Sequence, residues 1–231
     1  MTSTPVAIID ELETEYLRLG STRCRMLNDE TPLSAFLLLG LQCTSLLKSL
    51  LLLLQPSAEL SGCGAIERAL VEACQLQTEF RFLDSQTQTK ITNWFWNRGE
   101  SWKSDKAKLN TFMQAQKGTG FGREYGDLSV AAHPTAVACR HSVAIVAGAR
   151  GLHANSQQLP NHLELRFLNY ENLMFRELWN AFGKHPELME IPIEPANLPL
   201  CSKFRDDFIK LREQPGKSTK GGLLIRPLSQ S

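Results

Sequence analysis

With 231 residues, 42% of them apolar, the chain is long enough for one or two packed cores and too apolar for a disordered protein. Twenty-five Lys and Arg against 24 Asp and Glu leave a formal charge of +1, which excludes the global positive field of a polyanion-coating protein. Any basic patch has to be local.

The opening MTSTPVAIIDELETEYLRLG has neither a positive start nor an apolar run leading to a small-residue cleavage site, so a cytoplasmic location is expected. Helical period dominates the chain and strand-like alternation is nearly absent, which predicts an all-α fold. The first predicted helix, about Pro5 to Met26, carries Leu12, Tyr16 and Leu19 on one side. Thr31 is placed to cap a second helix with Pro32 at its first position, and Pro56 to end it near Gln55.

That second segment, LSAFLLLGLQCTSLLKSLLLLL from Leu33 to Leu54, is long enough to span a bilayer. Leucine insertion terms of roughly −0.5 kcal/mol each are opposed by about +2.5 to +3.5 kcal/mol for a lysine such as Lys48 near the centre, leaving a marginal total. Gln42, Ser45, Lys48 and Ser49, with Ser34 before them, fall near one narrow stripe. This pattern favours the central helix of a bundle. The alternative is a membrane helix in which Lys48 faces a protein partner.

Gly62 and Gly64 mark the next connection, and Ile66, Leu70, Ala73, Leu76, Phe80 and Leu83 then recur at steps of three and four to form a third core face. Arg68 and Glu72 lie beside it, either on a solvated face or as a partly buried pair that fixes helix packing or lines a pocket. A fourth segment holds Ile91, Trp94, Phe95, Trp96 and Trp102; Trp94, Arg98 and Trp102 at i, i+4, i+8 are more readily core than a base-stacking surface. The loop GTGFG, Gly118 to Gly122, has neither a preceding apolar strand nor a following G-K-[ST], so it reads as a turn.

Tyr125, Ser129, His133 and Arg140 form the most suggestive local arrangement. Pro134 puts His133 at a helix boundary, where free N–H groups and the helix dipole disfavour imidazolium and welcome an anion. A neutral His133 as base or donor, with Arg140 holding a phosphate, is the sharpest chemical reading; a capping or core histidine with Arg140 paired to a carboxylate is the plainer one. No Ser-His-Asp or H-E-x-x-H motif is local to any segment.

Asn161 and Glu164 resemble a capping box opening a long helix with a wide apolar face running through Leu168, Tyr170, Met174, Phe175, Leu178, Trp179 and Phe182. Pro186, Pro192, Pro195 and Pro199 then predict an extended arm, followed by a short helix at about Ser202 to Arg212 and a flexible tail. The organisation expected is a bundle over 1–185, an arm with its short helix over 186–213, and a tail over 214–231. Six cysteines, Cys24, Cys43, Cys63, Cys74, Cys139 and Cys201, show no C-x-x-C pair or metal-ligand spacing and read as buried thiols, so no metal or cofactor is expected.

The segment ERALVEACQLQTEFRFL (Glu67 to Leu83), followed some forty residues later by YGDLSVAAHP (Tyr125 to Pro134), resembles the R-x-x-x-E helix and Y-x-x-L-S-x-x-x-H-P segment of uncharacterised bacterial helical bundles related to the HEPN superfamily. The resemblance covers about residues 62 to 150. It implies a helical bundle of about six or seven helices, with Arg68, Glu72, Ser129 and His133 at its recurrent polar positions. Many HEPN proteins are ribonucleases of toxin–antitoxin or defence systems that use an Arg followed four to six residues later by His; no Arg here has that spacing, and His133 precedes Arg140. Two functions are therefore expected to compete. One is RNA or nucleotide binding in a stress or defence role, with His133 and Arg140 catalytic and Arg68, Glu72, Tyr125 and Ser129 lining the site; the other is a noncatalytic module for self-association or a protein partner.

Overall fold

A computed structural model of the chain describes residues 4–24, 29–54, 63–82, 92–93, 95–96, 158–183 and 193–213. Among these, five α-helices are laid out: α1 (Pro5–Thr22), α2 (Pro32–Leu53), α3 (Cys63–Phe82), α4 (Gln158–Ala181) and α5 (Pro199–Glu213), with a 3-10 turn at Pro195–Asn197. No strand occurs among the described residues, so the protein is all-α there.

The first two helices start as their sequences dictate. Thr4 and Thr31 stand in extended geometry outside each helix and accept from Ala7 N and Ser34 N, while Pro5 and Pro32 occupy first positions where no N–H is needed. Helix α2 packs on α1 and α3 and also meets α4. Its N-terminal half is buried almost all round through Ser34, Ala35, Phe36, Leu37 and Leu39. Further along, Gln42 and Ser45 face solvent while Cys43, Leu47 and Leu50 face the core. The polar stripe thus lies on the outer side as expected, except that Ser34 is buried against the Thr31 cap. By length and composition α2 could cross a membrane. In the fold it is the central helix, and Lys48 is answered on α1 by Asp10 at 2.7 Å and by Glu13.

The core draws Ile9, Leu12 and Leu19 from α1, Leu47 and Leu50 from α2, Leu70 and Val71 from α3, and Leu173, Met174 and Leu178 from α4. Three boundaries differ from the sequence expectation: α1 ends at Thr22 rather than near Met26, and the starts of α4 and α5 also differ. Helix α4 begins at Gln158, so Asn161 lies inside it; Pro160 falls in the first turn, where its missing N–H breaks no bond. Helix α5 begins at Pro199, because a proline at the first position starts a helix rather than preventing one. The segment ahead of it is likewise a tight turn at Pro195–Asn197. Helix α5 docks on α1 and α4. The two carboxylate oxygens of Glu11 on α1 accept from Leu200 N at 3.2 Å and Cys201 N at 2.8 Å, capping the positive end of α5 from a neighbouring helix.

One close approach sets the spacing of α1, α2 and α3. A Cβ at Gly40 would stand 2.5 and 2.6 Å from the Tyr16 ring and 2.9 Å from Gln77 Nε2. We expect Gly40→Ala to lose about 1 to 3 kcal/mol by overpacking, more than the roughly 0.5 to 1 kcal/mol that alanine gains in a helix. Urea unfolding midpoints measure this, and a stabilised variant would refute the close approach.

Candidate functional site

Of the residues expected to form a site, Arg68 and Glu72 are described. They lie one turn apart on α3, with Arg68 Nε 3.3 Å from Glu72 Oε1 and side chains 24% and 39% exposed. They form a half-buried pair, intermediate between the two arrangements open from the sequence. Tyr125, Ser129, His133 and Arg140 lie outside the described residues, as do the GTGFG loop and Arg98 and Trp102.

The densest polar chemistry among the described residues lies inside the bundle, where α1, α2, α3 and α4 meet. Tyr16 Oη donates to Glu177 Oε1 at 2.6 Å, joining α1 to α4 across 161 residues. Cys74 Sγ on α3 donates to the other oxygen, Oε2, at 3.5 Å. Cys43 Sγ on α2 stands 3.7 Å from Cys74 Sγ. Around this, Gln77 Nε2 donates to Tyr16 Oη at 3.2 Å, and Asn180 Nδ2 donates to Gln77 Oε1 at 3.2 Å and to Cys74 O at 3.0 Å. Thr78 Oγ1 lies between Cys74 O, at 2.8 Å, and Asn180 Oδ1, at 2.9 Å. Tyr16, Cys43, Cys74, Gln77 and Glu177 are sealed from solvent.

The local reasons for this assembly are simple. Cys74 and Gln77, with Leu70 and Ala73, fall on the buried side of α3, and Glu177 and Asn180 lie one turn apart on the inner face of α4. Gly40 opens the space in which the Tyr16 ring reaches α3.

Removal from water controls the protonation of the centre. Burial pushes Glu177 above the ordinary carboxylate range, although hydrogen bonds from Tyr16, Cys43, Gln77 and Cys74 pull the other way. Burial, then the Glu177 charge, raises Tyr16. Burial, then the contact with Cys74, raises Cys43. For Cys74 the hydrogen bond with Cys43 pulls the thiol down, but burial and Glu177 outweigh it. Burial therefore biases each of these weak acids toward its protonated form. Among the described residues, Cys43, Cys74 and Glu177 form a group able to hold a metal, with ligand atoms within 4.8 Å of one another.

Spacing rules could not find this centre, because Cys43 and Cys74 are 31 residues apart and Glu177 is 103 further on. A faint signal is present: Gln77, Glu177 and Asn180 are polar residues set among the apolar positions of their helices. The plain expectation of buried thiols holds for Cys43, Cys63, Cys74 and Cys201; Cys24 is half-buried and Cys139 lies outside the described residues. No protein-family model, curated protein or solved structure matches this chain.

Burial also raises Cys201 on α5. A group whose folded pKa is raised stabilises the fold fully below its unfolded pKa and loses that contribution as pH climbs above it. We therefore expect stability to fall above about pH 8.5, the ordinary thiol pKa, as Cys43, Cys74 and Cys201 and then Tyr16 resist ionisation. Glu177→Gln should remove a separate loss that begins above about pH 4.3, where an unfolded glutamate ionises. Urea midpoints across pH measure both, and a flat alkaline limb would contradict the buried neutral centre.

Proposed function

We propose that this chain is a noncatalytic helical-bundle module that associates with a second copy of itself through the face shared by α4 and α5. The observation that carries this reading is an aromatic seam left partly open. Phe175 stacks on Phe208 with ring centroids 4.6 Å apart, Trp179 packs 6.2 Å from Phe175, and Phe204 lies 5.9 Å from Phe208. Trp179 remains 38% exposed and Leu211, one turn beyond Phe208, 55% exposed. Arg212 lies over the Phe208 ring at 4.8 Å and Arg205 over Phe182 at 5.1 Å. Aromatic residues with arginine are the composition enriched where protein surfaces bind one another.

The charge around the seam favours a second copy as the occupant. Lys203, Arg205, Lys210 and Arg212 are interspersed on α5 with Asp206, Asp207 and Glu213, so a two-fold arrangement can set each sign against the other. The polar interior supports a noncatalytic role as well, since Tyr16, Glu177, Gln77 and Asn180 satisfy one another away from solvent. We expect a dimer by sedimentation equilibrium, and the double variant Trp179→Glu, Leu211→Glu to be a folded monomer. A wild-type protein that is monomeric at every concentration, or a dimer indifferent to those changes, would overturn the reading.

The second reading is RNA or nucleotide binding in a HEPN-like bundle, through Arg68, Glu72, Tyr125, Ser129, His133 and Arg140. One observation favours it: Arg68 and Glu72 are partly open to solvent, so an anion could compete for the guanidinium. On the association reading, the folded protein leaves a mixed RNA pool intact with or without divalent metal. Cleavage that disappears in both His133→Ala and Arg140→Ala would instead establish the nuclease.

A further inference from the structure

We propose that Cys43, Cys74 and Glu177 form an interior binding site for a thiophilic divalent cation of the zinc class. Two of the three ligand–ligand separations have the dimensions of a coordination shell, and the third pair, Cys43 with Glu177, lies within 4.8 Å. Around a tetrahedral zinc with bonds of about 2.3 Å to sulfur and about 2.1 Å to oxygen, neighbouring ligand atoms stand roughly 3.8 Å apart for two sulfurs and roughly 3.6 Å for sulfur and oxygen. The corresponding separations here are 3.7 Å for Cys43 Sγ to Cys74 Sγ and 3.5 Å for Cys74 Sγ to Glu177 Oε2. Two sulfurs and one carboxylate oxygen also match the softness of zinc and exclude magnesium and calcium as the preferred ion.

The surroundings fit the same role. Tyr16 donates to Glu177 Oε1, the oxygen that Cys74 does not contact, and so orients Oε2 toward the sulfurs. Gln77 fixes Tyr16 in turn, and Asn180 fixes Gln77. The charges balance to a small residue: one divalent cation held by two thiolates and one carboxylate leaves a net charge of −1. The Arg176 guanidinium on α4, which bonds Gln75 and acts electrostatically on Cys74, opposes that charge. Because the groups are sealed, the cation enters when the helices assemble or open. Metal binding would then contribute to folding, since the four helices meet at this centre.

The test uses the full chain under reducing conditions, stripped of metal by chelator in denaturant and refolded with and without one equivalent of zinc. One zinc per chain should survive gel filtration and raise the melting temperature. Cobalt(II) in its place should show thiolate-to-cobalt charge transfer. Cys43→Ser, Cys74→Ser and Glu177→Gln should each weaken binding by roughly 100-fold or more, whereas Cys24→Ser, remote from the cluster, should leave it unchanged. Circular dichroism confirms that each variant is helical, and the wild-type cobalt spectrum stands as a test even if a variant fails to fold. A folded wild type that retains no zinc, a cobalt complex without thiolate absorption, or undiminished binding in both cysteine variants would leave a neutral thiol and carboxyl cluster only and overturn the proposal.

Discussion

The hydrogen bond from Tyr16 to Glu177 is the constraint around which the bundle is arranged. It pairs a phenol and a carboxyl group that would each be costly to bury alone, and it ties the first helix to the fourth across 161 residues. For the phenol to arrive, α2 must present a residue without a side chain, and Gly40 does so. For the carboxyl group to be held, α3 must supply Cys74 and Gln77 on its inner side. A shift of any of the four helices by one turn would leave a buried polar atom without its partner. The apolar contacts around the centre are interchangeable by comparison, since leucine packs acceptably in many registers. The hydrogen-bonded set selects one register among those the leucines allow.

The outer helix follows a similar logic with different groups. Helix α5 is short and mostly polar, and it is held at its start by the Glu11 fork and the Cys201 hydrogen bond to Ile8 O. Along its length the Phe208 ring stacks on Phe175, and Phe204 lies beside Phe208. Helix α5 thus belongs to the same packed structure as α1 and α4, with Pro195 opening the turn before it and Pro199 its first turn. Its position also creates the partly open aromatic seam. The feature that supports self-association is therefore a consequence of how the arm docks.

Interior and surface carry separate proposals because they differ in access. The Cys43, Cys74 and Glu177 centre is closed, which suits an ion incorporated on folding and excludes a substrate that must enter and leave. The α4 and α5 seam is partly exposed at Trp179 and Leu211, which suits contact with a protein surface. Lys48 illustrates how context adds meaning in the same way: in the sequence it is a lone cation in an apolar run, and in the fold it is paired with Asp10 and Glu13 on α1.

Local chemistry made much of this legible in the chain. The caps at Thr31 and Pro32, the core side of α1 at Leu12, Tyr16 and Leu19, and the period of α3 through Leu70, Ala73 and Leu76 are short-range properties, and each is found where the sequence puts it. The starts of α4 and α5 were misplaced by three residues each, since proline marks a helix beginning as readily as a break and only neighbouring contacts distinguish the two. The half-buried Arg68 and Glu72 pair was visible as a spacing but not as a degree of burial. By itself the sequence determined the helical character of the described residues and a leucine-rich central helix. Only the tertiary structure decided that Tyr16, Cys43, Cys74 and Glu177 share one interior point, because side chains so far apart along the chain meet through helix packing, which no local periodicity encodes.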